Sequence, residues 1–312
     1  MARTRRARDY LVVDTRTHER RDRLRAPRVG RHRGIGAPES FTSGFTALAQ
    51  LAYAGATVSA SVLDLRTGLT LVSIDDRVAL PTASVGKILL LIEVSARITT
   101  RDGAGFGILD KTPGDGVGDS GIWQRLQAPA LPVTDLALLV GATSDNLATN
   151  VLLRRVGLDS VRARGEALGL SRTALLDLVR DHRGPDDAPQ LSIGSTAELS
   201  WLFCALARGQ VVDAVTSKRV LGWLSHNADL SMVSSAFGLD PLSHRTPDSG
   251  LQLINKTGTD VGVRSEAGLL SGSRTGVAYA LTVRFSGTDL PARLRVLEAM
   301  RIFGLDLLEY VY

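Results

Sequence analysis

Pro81-Thr82-Ala83-Ser84-Val85-Gly86-Lys87-Ile88-Leu89-Leu90-Leu91-Ile92-Glu93-Val94 sets a serine and a lysine three residues apart at the head of an apolar run. A block of this length with one lone charge, Glu93, fits a helix buried on most sides. Thr82 or Ser84 is placed to cap its start, because a hydroxyl satisfies one of the first free backbone N–H groups. Residues i and i+3 share a helix face, so the Ser84 hydroxyl and the Lys87 amine are expected to meet. A lysine pressed against apolar surroundings has its charged form disfavoured and moves towards accepting a proton. That turns an ordinary serine into a candidate nucleophile. Taken alone, the four-residue pattern is weak and reads first as a capping serine followed by a snorkelling lysine.

Two further segments give the pattern weight. Ser144-Asp145-Asn146 separates two apolar, helix-like stretches. Beside the plain reading of an N-cap, it admits Ser144 as a proton shuttle, Asn146 as an amide that bonds a substrate carbonyl and the lysine, and Asp145 as an inward acceptor of backbone N–H groups. Lys256-Thr257-Gly258 follows Leu251-Gln252-Leu253-Ile254-Asn255, which alternates as a half-buried strand does. Lys256 offers positive charge and Thr257 a hydroxyl for a carboxylate, while Gly258 leaves room for another backbone or a ligand. Singly, this too reads as a strand end with a turn glycine.

Together and in this order, the three segments resemble the active-site set of the class A β-lactamases and penicillin-binding proteins. Sixty residues separate Ser84 from Ser144, close to the class A interval, and 56 remain after Lys256, room for two closing strands and a last helix. The resemblance spans about residues 42 to 312. It implies that Ser84 attacks a cyclic amide or a related amide or ester, Lys87 takes its proton, and Ser144 passes a proton to the leaving nitrogen. The Ser84 and Thr259 N–H groups would stabilise the oxyanion, with Asn146, Lys256, Thr257, Gly258 and Thr259 binding substrate. Arg264, and less directly Arg245, are candidates to assist with a carboxylate.

The resemblance breaks on one loop. Class A enzymes carry a glutamate after the Ser-Asp-Asn segment that activates water for hydrolysis of the acyl-enzyme. Here the corresponding stretch runs Ala174-Leu175-Leu176-Asp177-Leu178-Val179-Arg180-Asp181-His182-Arg183 and holds no glutamate. Asp177 and Asp181 are the available substitutes, ahead of Asp186 and Asp187. An aspartate is one methylene shorter, and reach is what a general base needs first. Deacylation is therefore the step left without its usual base. Two other readings stay open: a peptidase, esterase or acyltransferase on a cytoplasmic metabolite, or a non-catalytic β-lactam-binding or sensing domain.

Along the chain, residues 42–54 read as a helix. Residues 57–64 and 69–74 read as a hairpin around Arg66-Thr67-Gly68. Helical patterns run from Ser84 to about 225, broken by a Gly/Asp-rich loop over 102–121. Residues 267–271 and 276–285 form a second hairpin, and a last helix covers about 291–308. Strands at both ends and helices between them predict an α+β fold. Its antiparallel sheet is built from both chain ends and flanked by helices, with an inserted all-helical lobe. The corresponding division is a 1–41 extension and a 42–312 domain, with an α/β lobe of 42–82 and 226–312 and a helical lobe of 83–225.

At 312 residues and 44% hydrophobic content the chain can bury a full core. Its net charge of +5 is concentrated at the front. Residues 1–40 hold twelve arginines against five acidic residues, and the rest holds 25 basic against 27 acidic. That front segment reads as a disordered arm, and without aromatic interleaving it does not read as a nucleic-acid binder. No stretch reads as a signal peptide or membrane span, which predicts a cytoplasmic protein. Cys204 stands alone, and the five histidines are scattered without ligand spacing, so no metal or other cofactor is expected. The expected partner is a small molecule, a β-lactam or a carboxylate-bearing amide or ester.

Overall fold

A computed structural model describes residues 41–245, 250–287 and 289–312. The arginine-rich extension lies outside the described residues, apart from Phe41. Phe41 is buried, its ring 5.7 Å from that of Tyr310, so this residue, assigned by sequence to the extension, packs with the described body.

The element order is α1 (Thr42–Tyr53), β1 (Thr57–Asp64), β2 (Thr70–Ile74), β3 (Leu80–Pro81), α2 (Lys87–Thr99), β4 (Ile108–Asp110), β5 (Ala130–Pro132), α3 (Val133–Thr143), α4 (Asn146–Val156) and α5 (Leu158–Ala167). It continues with β6 (Ala174–Leu175), β7 (Ser192–Gly194), α6 (Thr196–Ala207), α7 (Ala214–Leu224), β8 (Gln252–Asp260), β9 (Val263–Ser271), β10 (Gly276–Arg284) and α8 (Leu290–Val311). The architecture is α+β, as the order of sequence patterns implies. One antiparallel sheet of order β2-β1-β10-β9-β8 takes strands from both ends of the chain.

Strand alternation divides the interior in two. On β10, Val277, Tyr279, Leu281 and Val283 enter a core shared with α1 and α8. Ala278 and Ala280 face the other way, into a core built by α2 to α7. Those alanines, with Ala267 on β9, let α6 lie close against the sheet. Helix α2 runs through the second core with every residue from Lys87 to Ala96 buried. Its one acid, Glu93, is paired with Arg97 at 2.7 Å and Arg164 at 2.9 Å. Truncating a leucine here, such as Leu90, is expected to cost about 2–5 kcal/mol.

Three local expectations are corrected. Neither Thr82 nor Ser84 caps α2: Ala83–Gly86 form a 3-10 turn, and the helix starts at Lys87 without a side-chain cap. The strand that reads as 251–255 extends through the Lys-Thr-Gly segment to Asp260, and its partner begins at Val263 rather than 267. A buried lysine and a glycine look like a strand end in sequence, but the ladder continues through both. The region from 84 to 225 is also not purely helical. β4 pairs with β5, and β3, β7 and β6 form a small sheet beneath the Ser84 turn.

Candidate active site

The serine turn is locked from below by β7. Ser192 Oγ donates to Ala83 O at 2.6 Å and shares a 2.8 Å hydrogen bond with Thr82 Oγ1. Ala83 sits at φ +48°, a left-handed conformation that costs an alanine about 1–2 kcal/mol. Gly86 allows the close approach, since a Cβ there would stand 2.3 Å from Ser192 Cβ. The Lys87 N–H bonds back to Ser84 O. A 3-10 turn brings residues three apart to one edge, yet among the described residues the Lys87 amine hydrogen-bonds the Ser144–Asn146 segment and not the Ser84 hydroxyl that the sequence expectation paired it with.

The amine of Lys87 is fully buried and meets the Ser-Asp-Asn segment. It donates to Ser144 O at 2.7 Å, to Asn146 Oδ1 at 2.7 Å and to Ser144 Oγ at 3.3 Å. Local backbone geometry makes this convergence possible. Ser144 ends α3 at φ +54°, turning the chain so that Asp145 caps α4 through Ala148 N at 2.9 Å. The other oxygen of Asp145 accepts the N–H groups of Ile122 and Trp123, both at 2.8 Å, and fixes the preceding loop. Asn146 Nδ2 donates to Gly118 O at 3.1 Å. Burial drives the Lys87 pKa well below its ordinary value, and the charge of Lys256 pushes the same way, against Asp145 and Asp119.

Strand β8 closes the site from the other side. A Cβ on Gly258 would stand 2.1 Å from Thr82 O and 3.1 Å from Ser84 N, so the strand backbone rests on the serine turn. Lys256 is fully buried and donates to Thr257 O at 2.8 Å. Desolvation lowers its pKa to about 8, opposed by Asp229 and Glu266. Thr257 and Thr259 line a cleft of about 1050 Å³ that also exposes Ser84, Ser144, Asn146, Val179, Asp181, Asn227, Asp229 and Arg284.

The structure separates the remaining candidates. Asp177 is buried away from the cleft lining and ion-paired with Arg180 at 2.9 Å and Arg183 at 2.6 Å. Burial would raise its pKa, but the hydrogen bonds of Arg180, Leu178 and Arg183 hold it below the usual carboxylate value. It is a brace of the loop rather than a base facing substrate. Asp181 does line the cleft, with both carboxylate oxygens on Gly118 N at 2.9 and 3.1 Å. Asp187 bonds Arg180 at 3.0 Å, and Asp186 is exposed outside the cleft.

From this loop Val179, Arg180, Asp181 and Arg183 line the cleft that also exposes Ser84 and Asn146. Arg264 is also corrected. Its guanidinium donates to Asp260 O and Val263 O, lies over Phe285, and is absent from the cleft lining. Arg245 contacts His226 Nε2 at 3.2 Å and does not line the cleft either.

Sequence reading missed Arg284, the exposed last residue of β10, which lines the cleft without a hydrogen bond or ion pair among the described residues. It missed Asn150, which clamps Val179, and the Asn227–Asn255–Glu266 chain behind β8. A lone acid at Glu266 inside an apolar strand is a legible anomaly, whereas nothing in sequence marks Arg284. Among the described residues no cluster of three or more His, Cys, Asp or Glu could hold a metal ion, and no helix is long and apolar enough to cross a membrane.

The profile of the beta-lactamase enzyme family matches residues 41–311. Among solved structures, a beta-lactamase from Sphaerobacter thermophilus DSM 20745 superposes with a TM-score of 0.75 at 22% identity, covering 87% of this chain and 97% of that one. A point mutant of PBP-A, solved as its acyl-enzyme complex with penicillin G, superposes with a TM-score of 0.69 at 18% identity, covering 86% and 96%. A class A beta-lactamase from Mycobacterium abscessus gives a TM-score of 0.65 at 17% identity, covering 82% and 97%. No curated protein sequence matches the chain.

Proposed function

The chain belongs to the beta-lactamase enzyme family and is a serine hydrolase, and on that premise we propose that Ser84 forms an acyl-enzyme with a β-lactam or related amide that is released slowly. The observation that carries this reading is the buried Lys87 amine on Ser144 O, Ser144 Oγ and Asn146 Oδ1, next to the serine turn.

Neutral Lys87 accepts the Ser84 proton as the hydroxyl oxygen attacks the amide carbon. The proton moves through Ser144 to the leaving nitrogen as the C–N bond breaks. The N–H groups of Ser84 and Thr259, brought together where Gly258 lies on the turn, receive the developing oxyanion. Charged Lys256, with Thr257 and Thr259, takes the substrate's anionic group.

Slow release follows from how the loop uses its carboxylates: Asp177 is held in ion pairs outside the cleft lining, and Asp181, which does line the cleft beside Val179, spends both oxygens on Gly118 N. The PBP-A mutant that shares the fold is trapped as an acyl-enzyme with penicillin G, which supports testing the same ligand here. Intact-mass spectrometry after incubation with benzylpenicillin should show one added penicillin mass that persists after free drug is removed. Absence of any adduct on the native chain would overturn the reading.

A further inference from the structure

Glu266 takes no part in these steps, yet it is a fully buried carboxylate in the sheet. Burying such a group without partners costs several kcal/mol. Here Tyr279 OH donates to Oε1 at 2.7 Å, Asn255 Nδ2 to the same oxygen at 2.8 Å, and Ser234 N to Oε2 at 3.3 Å. The amide and the backbone N–H can only donate, so both favour the ionised carboxylate. Burial pushes its pKa up, and these three hydrogen bonds pull it back.

The chain of hydrogen bonds does not stop at Asn255. Asn255 Oδ1 accepts Asn227 Nδ2 at 2.8 Å, and the same Asn227 amide donates to Asp229 O at 3.1 Å. Asn227 and Asp229 line the cleft. The Asp229 side chain is held in turn by Ser231 N at 3.1 Å and Ser231 Oγ at 2.6 Å. In the β8–β9 register Glu266 pairs with Thr257 while Lys256 pairs with Ala267, which puts Glu266 and Lys256 on opposite sheet faces.

We infer that Glu266 is a positioning residue of the cleft: it orients Asn255, Asn255 orients Asn227, and the relay seats residues 227–229 against the Lys256–Thr259 strand. The inference rests on the proposed role of Lys256 and Thr257 in holding an anionic group. The relay also sets charge. Asp229 and Glu266 are the carboxylates that favour the Lys256 cation, and the Lys256 charge in turn disfavours that of Lys87 on α2. Tyr279 on β10 and Asp229 are the titratable groups that face Glu266 itself. Cutting the relay therefore displaces Asp229 and weakens the proton affinity of Lys256 together.

The test uses the full chain with Glu266→Gln and Asn255→Ala. With four lysines in the sequence, Lys87, Lys111, Lys218 and Lys256, side-chain NMR on lysine-labelled protein resolves each titration, and Lys256→Met assigns its own signal. In Glu266→Gln the Lys256 proton affinity should fall by about tenfold, one pKa unit. It should fall in the same direction in Asn255→Ala, which retains the carboxylate and serves if the first variant does not fold. The benzylpenicillin concentration for half-maximal acylation should rise about tenfold in Asn255→Ala, the loss of roughly one to two hydrogen bonds, with the limiting acylation rate little changed. An unaltered Lys256 titration in each variant that folds overturns the inference. If the native chain forms no penicillin adduct, the proposed function fails while the Lys256 titration still decides the relay.

Discussion

The Asn150 carboxamide grips the backbone of Val179 from both sides: Oδ1 accepts its N–H at 2.9 Å and Nδ2 donates to its carbonyl at 3.0 Å. Asn150 is buried on α4, so this pair fixes one loop residue, and with it one side chain, on the wall of the cleft.

Replacing that side chain with a carboxylate should restore the missing base without disturbing the clamp, because the clamp uses only backbone atoms. Val179→Glu is expected to speed release of the penicillin acyl-enzyme by about 10²-fold or more, within the range general-base catalysis contributes. The decay of the adduct mass with time measures it. Equal lifetimes in native protein and variant would show that Val179 does not face the scissile ester.

Asp177→Asn should act on the loop and not on the chemistry. It leaves Arg180 and Arg183 with a weakened partner, and breaking a partly buried pair of this kind costs about 1–3 kcal/mol. The melting temperature should fall while the acylation rate and the adduct lifetime of the folded fraction stay close to native. A large change in lifetime with unchanged stability would return Asp177 to the catalytic set.

Lys87→Met should slow acylation by about 10²–10⁴-fold. Lys87→Arg should not rescue it, because a guanidinium stays protonated and cannot take the Ser84 proton. Ser84→Ala should abolish labelling entirely with an unchanged melting temperature. Labelling that persists in Ser84→Ala would place the nucleophile elsewhere.

Acylation should show two limbs against pH. It rises as Lys87, whose pKa lies well below the ordinary lysine value, loses its proton. It falls above pH about 8 as Lys256 becomes neutral and releases the substrate's anionic group. Stability moves the opposite way on the alkaline side. Above pH about 8 the folded chain has shed a Lys256 proton that the unfolded chain keeps up to the ordinary lysine value of 10.5, so folding gains stability across that window. A rate profile flat from pH 7 to 10 would remove Lys256 from substrate binding.

Arg284 lines the cleft, whereas Arg264 turns its guanidinium to Asp260 O and Val263 O outside it. Arg284→Gln should raise the half-saturating concentration of an anionic β-lactam by about twofold to fivefold, the worth of one exposed charge contact, whereas Arg264→Gln should leave it nearly unchanged. The reverse order, measured by the concentration dependence of acylation, would return the role to Arg264.

The fold was legible because its signals are local. Residues 57–64 alternate as a strand and form β1 with those bounds, and the apolar run after Lys87 can only be a buried helix. One misplaced boundary has a clear cause. Gly258 looks like a strand end in sequence, yet β8 continues through it because the Thr82 carbonyl needs the space of its missing Cβ. The site divides in the same way. Ser84, Lys87, Ser144 and Asn146 follow from three segments whose order and spacing resemble the class A set, whereas Asp177, Asp181 and Arg264 rest on a count along the chain to a residue of suitable chemical type. Type does not say where a side chain points.

By itself the sequence determined the element order, the sheet drawn from both chain ends and the three segments that supply a hydroxyl, an amine and an amide. These depend on periodicity and on spacing within one helix or strand, which neighbouring residues encode. Only the tertiary structure decided which aspartate is spent on arginines, that a valine holds the wall of the cleft, which arginine stays free and that a carboxylate behind the sheet supports Asn227. Those outcomes depend on how loops fold back and pack, from Asp177 on Arg180 and Arg183 three and six positions away to Asn150 on Val179 and Asn227 on Asn255 nearly thirty positions away, and periodicity along the chain encodes none of these.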